Sequence, residues 1–447
     1  MSNLSRRKFL TTAGLSTVGA IAVNACSSGG GTNPSTTTTT ATTAASSTTA
    51  PAPVNAADAP EVTKAKLGYI PLTDASPLII ALEKGIFAKY GMTEVEVLKQ
   101  ASWGTTRDNI VLGSNAGGID GAHILTPMPY LISEGKVTNG QKVPMYILAR
   151  LNTNGQAISI ANDFKDAKIG LKSDALKDTF AKVKAGGKEL KCAVTFPGGT
   201  HDLWMRYWLS ANGVDPDKDV STIVVPPPQM VANMKAGNMQ AFCVGEPWNA
   251  RLIAQQSGYT ALTTGELWKD HPEKSFAMRA DWVDKNPKAT LALLKAIQEA
   301  QVWCEQPENK EEMCKIVGAD KWLKVPATEI LTRLQGKVDY GDGRTVDNPD
   351  IAMKFWKDNA SYPFKSHDLW FITEDIRWGY FDANTDAKAM IDKVNREDLW
   401  KIAAKAIGKE ADIPASTSRG VETFFDGVKF DPENPTEYLN GLKIKKA

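Results

Sequence analysis

The sequence predicts an α/β fold of two lobes with a cleft between them, followed by a helical C-terminal extension. Three observations predict it. Short runs with the two-residue alternation of strands take turns with runs of helical spacing. The alternation is laid out in two successive blocks. A chain of 447 residues is also too long for one compact core.

The folded part begins near residue 62. Residues 66–70 read as a first strand. Residues 77–90 read as a helix, with Leu78, Ile79, Leu82, Ile86 and Phe87 on one face and Gly91 as its stop. Residues 94–98 alternate as a second strand, 105–112 form a short helix, and 118–122 a short strand. Residues 126–134 form a helix opened by Thr126 and Pro127, and 144–151 a further strand. The second block has strands near 168–172, at 192–196, at 221–225 and at 241–244. Helices near 174–184, at 201–212 and near 228–237 separate them. Past about residue 275 the spacing is mainly helical, and the tail is rich in Trp and charge. No internal repeat is present. In such sheets ligands sit at the carboxyl ends of the strands, and clefts between lobes close by hinge motion.

The N-terminus carries a different grammar. Arg6 and Arg7 precede a mildly apolar stretch from Phe9 to Val23, and Ala25-Cys26 closes it. This resembles a twin-arginine lipoprotein signal with Cys26 as the lipidated residue. The apolar stretch is shorter than the roughly 20 residues that span a bilayer. The residues that follow, to 56, are uncharged and rich in Ser, Thr, Gly, Ala and Pro. They cannot bury a core and read as a flexible tether with a reach of roughly 30 Å. The expected organisation is therefore a signal at 1–25, lipidated Cys26 and tether at 26–60, and lobe 1 at 61–162. Lobe 2 follows at 163–272, and 273–447 returns to lobe 1 and adds the helical extension.

Composition excludes several functions. Charged residues make up 23% and the formal net charge is +1, so there is no basic surplus to recruit nucleic acid. Cys192, Cys243, Cys304 and Cys314 contain no CxxC pair, which argues against a zinc or iron–sulfur centre. Cys304 and Cys314 are close enough in sequence to pair, or all four are buried free thiols. The four histidines have no metal-binding spacing, and no GxSxG nucleophile motif occurs. Asp215, Asp217 and Asp219 alternate as in a calcium loop, but Val220 stands where that loop needs glycine. No catalytic residue, cofactor or metal is expected.

Four strand-to-helix junctions offer capping oxygens or glycine where backbone N–H groups point outward. They begin at Ser102, Leu125, Pro197 and Val244. A helix N-terminus attracts anions through those donors and its partial positive charge. A planar monoanion such as nitrate offers only acceptors, so its site needs donors in several directions, a cation, and no free carboxylate nearby. Trp103 offers an indole N–H, Gln156 an amide, His201 an imidazole N–H, Gly245 a backbone N–H and Lys274 an ammonium. Spacing alone does not bring these five together.

Longer strings do. Residues 100–108 (QASWGTTRD), 117–130 (GGIDGAHILTPMPY) and 196–201 (FPGGTH) resemble the nitrate/nitrite-binding lipoproteins of cyanobacterial ABC importers. So do 243–248 (CVGEPW), 268–274 (WKDHPEK), 365–370 (KSHDLW) and 420–426 (GVETFFD). The resemblance runs from about residue 60 to the C-terminus. It implies a two-lobed periplasmic-binding-protein fold of type II, with two chain crossovers. It implies nitrate or nitrite in the cleft, held at Trp103, Gln156, His201, Gly245 and Lys274. It also implies a monomeric, non-enzymatic receptor, lipid-anchored through Cys26 on the periplasmic face of the inner membrane. That receptor would deliver its ligand to permease subunits with a cytoplasmic ATPase.

Three other readings compete with this one. In a calcium-dependent bicarbonate-binding paralogue, the position of Lys274 is expected to be acidic, as a metal ligand. A thiamine-precursor synthase of this fold would need a cysteine-rich loop. A module fused to a transporter ATPase would bring a phosphate-binding GxxxxGK[ST] segment, which is absent from the sequence.

Overall fold

Residues 58–444 are described by the structure, a computed structural model; the expected signal, Cys26 and the tether to residue 57 lie outside them. Ten strands form two sheets. The first contains Lys64–Tyr69 (β1), Glu94–Lys99 (β2), Gly121–Leu125 (β3), Met145–Arg150 (β4) and Lys274–Arg279 (β10). The second contains Gln156–Ile160 (β5), Lys191–Val194 (β6), Ser221–Val224 (β7), Ala241–Gly245 (β8) and Tyr259–Thr263 (β9). Their orders are β2-β1-β3-β10-β4 and β7-β6-β8-β5-β9. These are one topology used twice. In each lobe the first three strands are parallel. The strand arriving from the other lobe takes the fourth place, antiparallel to both neighbours. The chain thus crosses between lobes twice, at 151–155 and again between β9 and β10, in the type II periplasmic-binding arrangement.

Alternation explains how each sheet is sandwiched. Along β6, Cys192 and Val194 face one hydrophobic cluster while Ala193 faces the other. β2 follows its pattern, with Val95 and Val97 buried and Glu94 and Glu96 exposed. Six tryptophans, Trp103, Trp204, Trp208, Trp268, Trp370 and Trp400, are among the largest fully buried side chains.

Several elements differ from expectation. The helix read at 77–90 is two, Ser76–Glu83 and Ile86–Lys89, because Gly85 between them takes φ 67°. The strand read at 118–122 lies at 121–125. Gly118 is pressed against the chain, and a Cβ there would meet Asn109 O at 2.1 Å. No strand forms at 168–172; residues 162–167 make a 3-10 turn that ends on Lys168 at φ 48°. The strand β5 was not read, because all five of its residues are buried and show no alternation. Since β5 lies in the second sheet, lobe 2 begins before residue 156 rather than at 163.

The segment after β10 is not confined to lobe 1. The helix Pro287–Glu305 packs on Ser76–Glu83 in lobe 1. The helix Lys365–Arg377 packs on Thr200–Ala211 in lobe 2. Phe424, Phe430 and Tyr438 also join the lobe 2 cluster. There Trp370 stacks on Trp204 at 4.9 Å between ring centres and on Phe424 at 5.7 Å, beyond their area burial. Two short hairpins, Lys337–Asp339 with Thr345–Asp347 and Glu422–Thr423 with Lys429–Phe430, interrupt the helices. Cys192, Cys243, Cys304 and Cys314 are free and buried. No helix among the described residues is long and apolar enough to cross a membrane.

The crossing segments are bonded to one another. Leu151 N donates to Lys274 O at 2.7 Å, and Asn154 N to His271 O at 3.1 Å. A third segment joins them where Thr153 and Lys354 exchange backbone hydrogen bonds. Beside this strip a buried Arg150 pairs with buried Asp368, whose other oxygen accepts from Asn395 Nδ2 at 2.7 Å.

Two outcomes follow from this packing. Asp368→Ala strands the Arg150 guanidinium without its partner and should lower stability by about 3–5 kcal/mol in urea unfolding. All four histidines, His123, His201, His271 and His367, are buried. Burial lowers each pKa, to about 3 for His271 and His367 and well below the ordinary value for His201. The unfolded chain therefore binds protons first. Stability should be fully present above about pH 6.5 and decline as pH falls below it, by about 1.4 kcal/mol per histidine per pH unit. Urea titrations between pH 8 and pH 5 check the sign.

Candidate functional site

The two crossings decide what meets at the cleft. Gln156 is the first residue of β5 and Lys274 the first of β10, so each is delivered as the chain enters a lobe. Gly245 is the last residue of β8 and pairs in register with Gln156. His201 is the second residue of the helix Thr200–Ala211. Trp103 is the first residue of the helix Trp103–Leu112, where Ser102 Oγ accepts from Thr105 N at 3.1 Å as the cap.

Four of the five expected residues are in direct register or contact. Lys274 Nζ lies 3.4 Å from His201 Nε2, and His201 Nε2 lies 2.8 Å from Gln156 Oε1. The amide oxygen only accepts, so His201 carries its proton on Nε2, and its Nδ1 accepts from Thr195 Oγ1 at 2.5 Å. Gly245 is there because nothing larger fits. A Cβ at that position would stand 2.5 Å from Gln156 Oε1 and 3.3 Å from Asp74 Oδ2. Trp103 touches the group through a neighbour: its ring lies 5.3 Å from that of His123. The Trp103 indole Nε1 is buried and, among the described residues, has no hydrogen-bond partner.

The structure corrects one expectation. The site was read as free of carboxylates, and it holds two. Asp74 Oδ2 lies 3.0 Å from Lys274 Nζ and accepts from Gln156 Nε2 at 3.1 Å. Its Oδ1 accepts from His123 Nε2 at 2.6 Å, while His123 Nδ1 faces Ile70 N at 3.5 Å. Glu273 Oε2 accepts from Lys274 Nζ at 2.6 Å and from Thr200 Oγ1 at 3.0 Å. Glu273 Oε1 accepts from Trp204 Nε1 at 2.7 Å. Asp74, His123, His201, Glu273 and Lys274 are all fully buried.

Electrostatics follow from that crowding. Burial pushes the Asp74 carboxyl up, but Lys274 and His123 outweigh it and hold it below the ordinary range. Burial raises Glu273, and Lys274 only partly offsets this. Burial works against the Lys274 ammonium, but Asp74 and Glu273 outweigh it, so the amine stays charged. Burial and the facing ammonium keep His201 neutral.

Asp74, His123 and Glu273 were missed, and each had a signal. Asp74 sits in the 3-10 turn Thr73–Ala75 between β1 and the helix Ser76–Glu83, a fifth strand-to-helix junction beside the four at Ser102, Leu125, Pro197 and Val244. His123 is inside β3, and Glu273 directly precedes the lysine. Asp215, Asp217 and Asp219 lie apart from this cluster in a turn where Asp217 pairs with Arg206 at 2.9 Å. Among the described residues, no group of three His, Cys, Asp or Glu is placed to hold a metal ion.

The model of the NMT1-like family matches residues 58–318. The chain is 63% identical over 446 residues to the nitrate/nitrite binding protein NrtA of Synechococcus elongatus, over 100% of this chain and 99% of that one. To the bicarbonate-binding protein CmpA of the same species it is 46% identical over 454 residues, with 99% of each covered. It is 32% identical over 383 residues to the nitrate import ATP-binding protein NrtC of Synechocystis, over 85% of this chain and 55% of that one. The crystal structure of the periplasmic nitrate-binding protein NrtA from Synechocystis superimposes with a TM-score of 0.85 at 64% identity, over 86% of this chain and 100% of that chain. With a periplasmic-binding fold and full-length identity at this level, the chain belongs to the NMT1-like family and, within it, to the nitrate/nitrite binding proteins.

Proposed function

We propose that this protein captures nitrate, and nitrite with it, at the Lys274 cluster and delivers it to the permease of an ABC importer. One observation carries the reading: a fully buried ammonium, beside His201 and Gln156 from the opposite lobe, next to a buried Trp103 N–H that no group among the described residues engages. Lys274, His201 Nε2–H, Gln156 Nε2, the Trp103 indole and the Gly245 backbone supply donors in several directions, as an acceptor-only planar anion requires. Closure of the two lobes brings those donors together. The names of the relatives support the ligand and the ATPase-driven importer.

Lys274 also distinguishes this reading from a calcium-dependent bicarbonate site. Its Nζ lies within 3.0 Å of both Asp74 and Glu273, so the ammonium fills the position between two carboxylates that a divalent cation would need. The protein acts as a monomeric receptor without catalytic chemistry. It is held on the periplasmic face of the inner membrane by a lipid on Cys26 after twin-arginine export.

Calorimetry on the purified protein tests the function. Nitrate and nitrite should bind with or without a calcium chelator, and bicarbonate should give no heat; binding of bicarbonate that needs calcium would refute the reading. Lys274→Gln removes the ammonium that favours the anion and should weaken nitrate at least about 100-fold. Trp103→Phe deletes a donor that has no partner among the described residues. It should weaken nitrate about tenfold while leaving the urea midpoint within about 1 kcal/mol of the parent in stability.

A further inference from the structure

Asp74 gives the proposed guest no hydrogen bond, yet it stands closer to the proposed ligand groups than some of them stand to one another. Its Oδ2 is 3.0 Å from Lys274 Nζ, 3.1 Å from Gln156 Nε2 and 3.3 Å from the Cβ position at Gly245. Three of the five proposed ligand positions thus converge on one carboxylate oxygen. His123 anchors the opposite oxygen at 2.6 Å, and the Trp103 ring lies against His123. The carboxylate is fully buried and cannot swing to solvent without opening the lobes.

We infer that Asp74 is a specificity-determining residue: a built-in counter-anion that holds the site to singly charged guests. The inference rests on the reading of this site as a nitrate site. One ammonium already faces two carboxylates, Asp74 and Glu273. Placing an anion beside Lys274 adds a negative charge next to Asp74 in a buried setting, where like charges repel most strongly. A monoanion is tolerated because it takes over donors that Asp74 now shares. A dianion such as sulfate doubles both the attraction to Lys274 and the repulsion from Asp74, but two carboxylates face that one ammonium, so the net opposition grows, and a dianion costs more to strip of water. The donors alone would not discriminate, since sulfate accepts hydrogen bonds at least as well as nitrate. Asp74 supplies the repulsive element that selectivity between such similar acceptors needs. The hydrogen bond from His123 to its other oxygen, at 2.6 Å, fixes the carboxylate in place, so the repulsion is not relieved by rotation.

The experiment is calorimetry at pH 8 and fixed ionic strength with nitrate and with sulfate, on the parent, Asp74→Asn and Asp74→Glu. The parent should bind nitrate and give no heat with millimolar sulfate. Asp74→Asn keeps the shape and loses the charge; nitrate should tighten and the nitrate-to-sulfate ratio should narrow at least tenfold. Asp74→Glu keeps the charge and should keep sulfate excluded. A role in folding alone would weaken both anions together and leave the ratio where it was. An Asp74→Asn protein that binds nitrate with the parental ratio overturns the inference and leaves the nitrate reading standing. A parent that binds no nitrate overturns that reading and this inference with it. Should Asp74→Asn fail to fold, the carboxyl carbon-13 shift of Asp74 in the nitrate-loaded parent decides. An ionised carboxylate is the expected result, and a protonated one overturns the inference, because a neutral acid repels nothing.

Discussion

Everything at the cleft is arranged around one desolvated ammonium. Removing a lysine amine from water costs several kcal/mol unless it finds charge and hydrogen bonds in return. Lys274 finds Asp74 from lobe 1 and its neighbour Glu273, and it abuts His201 from lobe 2. Glu273 is in turn held by Thr200 and Trp204 of lobe 2. The network therefore spans both lobes. Separating them would expose the ammonium, part Glu273 from its lobe 2 donors and part Gln156 from Asp74. Closing the cleft and assembling the site are one event.

Topology explains why the groups arrive there. In each lobe the parallel strands end at the cleft, so the residues just past β1, β6 and β8 are Asp74, His201 and Glu246, with Gly245 closing β8 itself. Helices begin at Ser76, Trp103, Thr200 and Trp248, and their N-terminal amides add partial positive charge around the same space. The antiparallel fourth strands contribute their first residues instead, Gln156 and Lys274. One sheet order used twice thus brings strand ends of one kind from both lobes to a single point.

Much of this was legible in the sequence. Alternating strands such as β2 and the helix of residues 200–211 declared themselves, and so did the junction grammar that singled out Trp103, His201 and Gly245. Two things were not legible. β5 is buried on both faces, which erases the alternation that reveals a half-buried strand, so the first crossing was placed after residue 162 instead of before 156. The carboxylates were also excluded on the reasoning that an anion site avoids them. That reasoning treats the cation as a lone charge, whereas a buried lysine needs acidic partners to stay protonated at all. The burial of Lys274 is what required Asp74 and Glu273.

The hinge places a further constraint on how the site works. The crossing segments are hydrogen-bonded to each other and to Lys354, so opening must turn about that strip rather than stretch it. Gln156 and Lys274 emerge directly from its ends and lie nearest the pivot. His201 and Trp103 are carried on helix N-termini farther along each lobe, while Gly245 stays beside Gln156 as its ladder partner. The charge that attracts the guest thus stays near the axis, while the neutral donors that complete its shell move. In the proposed reading, an anion entering an open cleft would meet the ammonium first and closure would then supply the hydrogen bonds, so recognition of charge would precede recognition of shape.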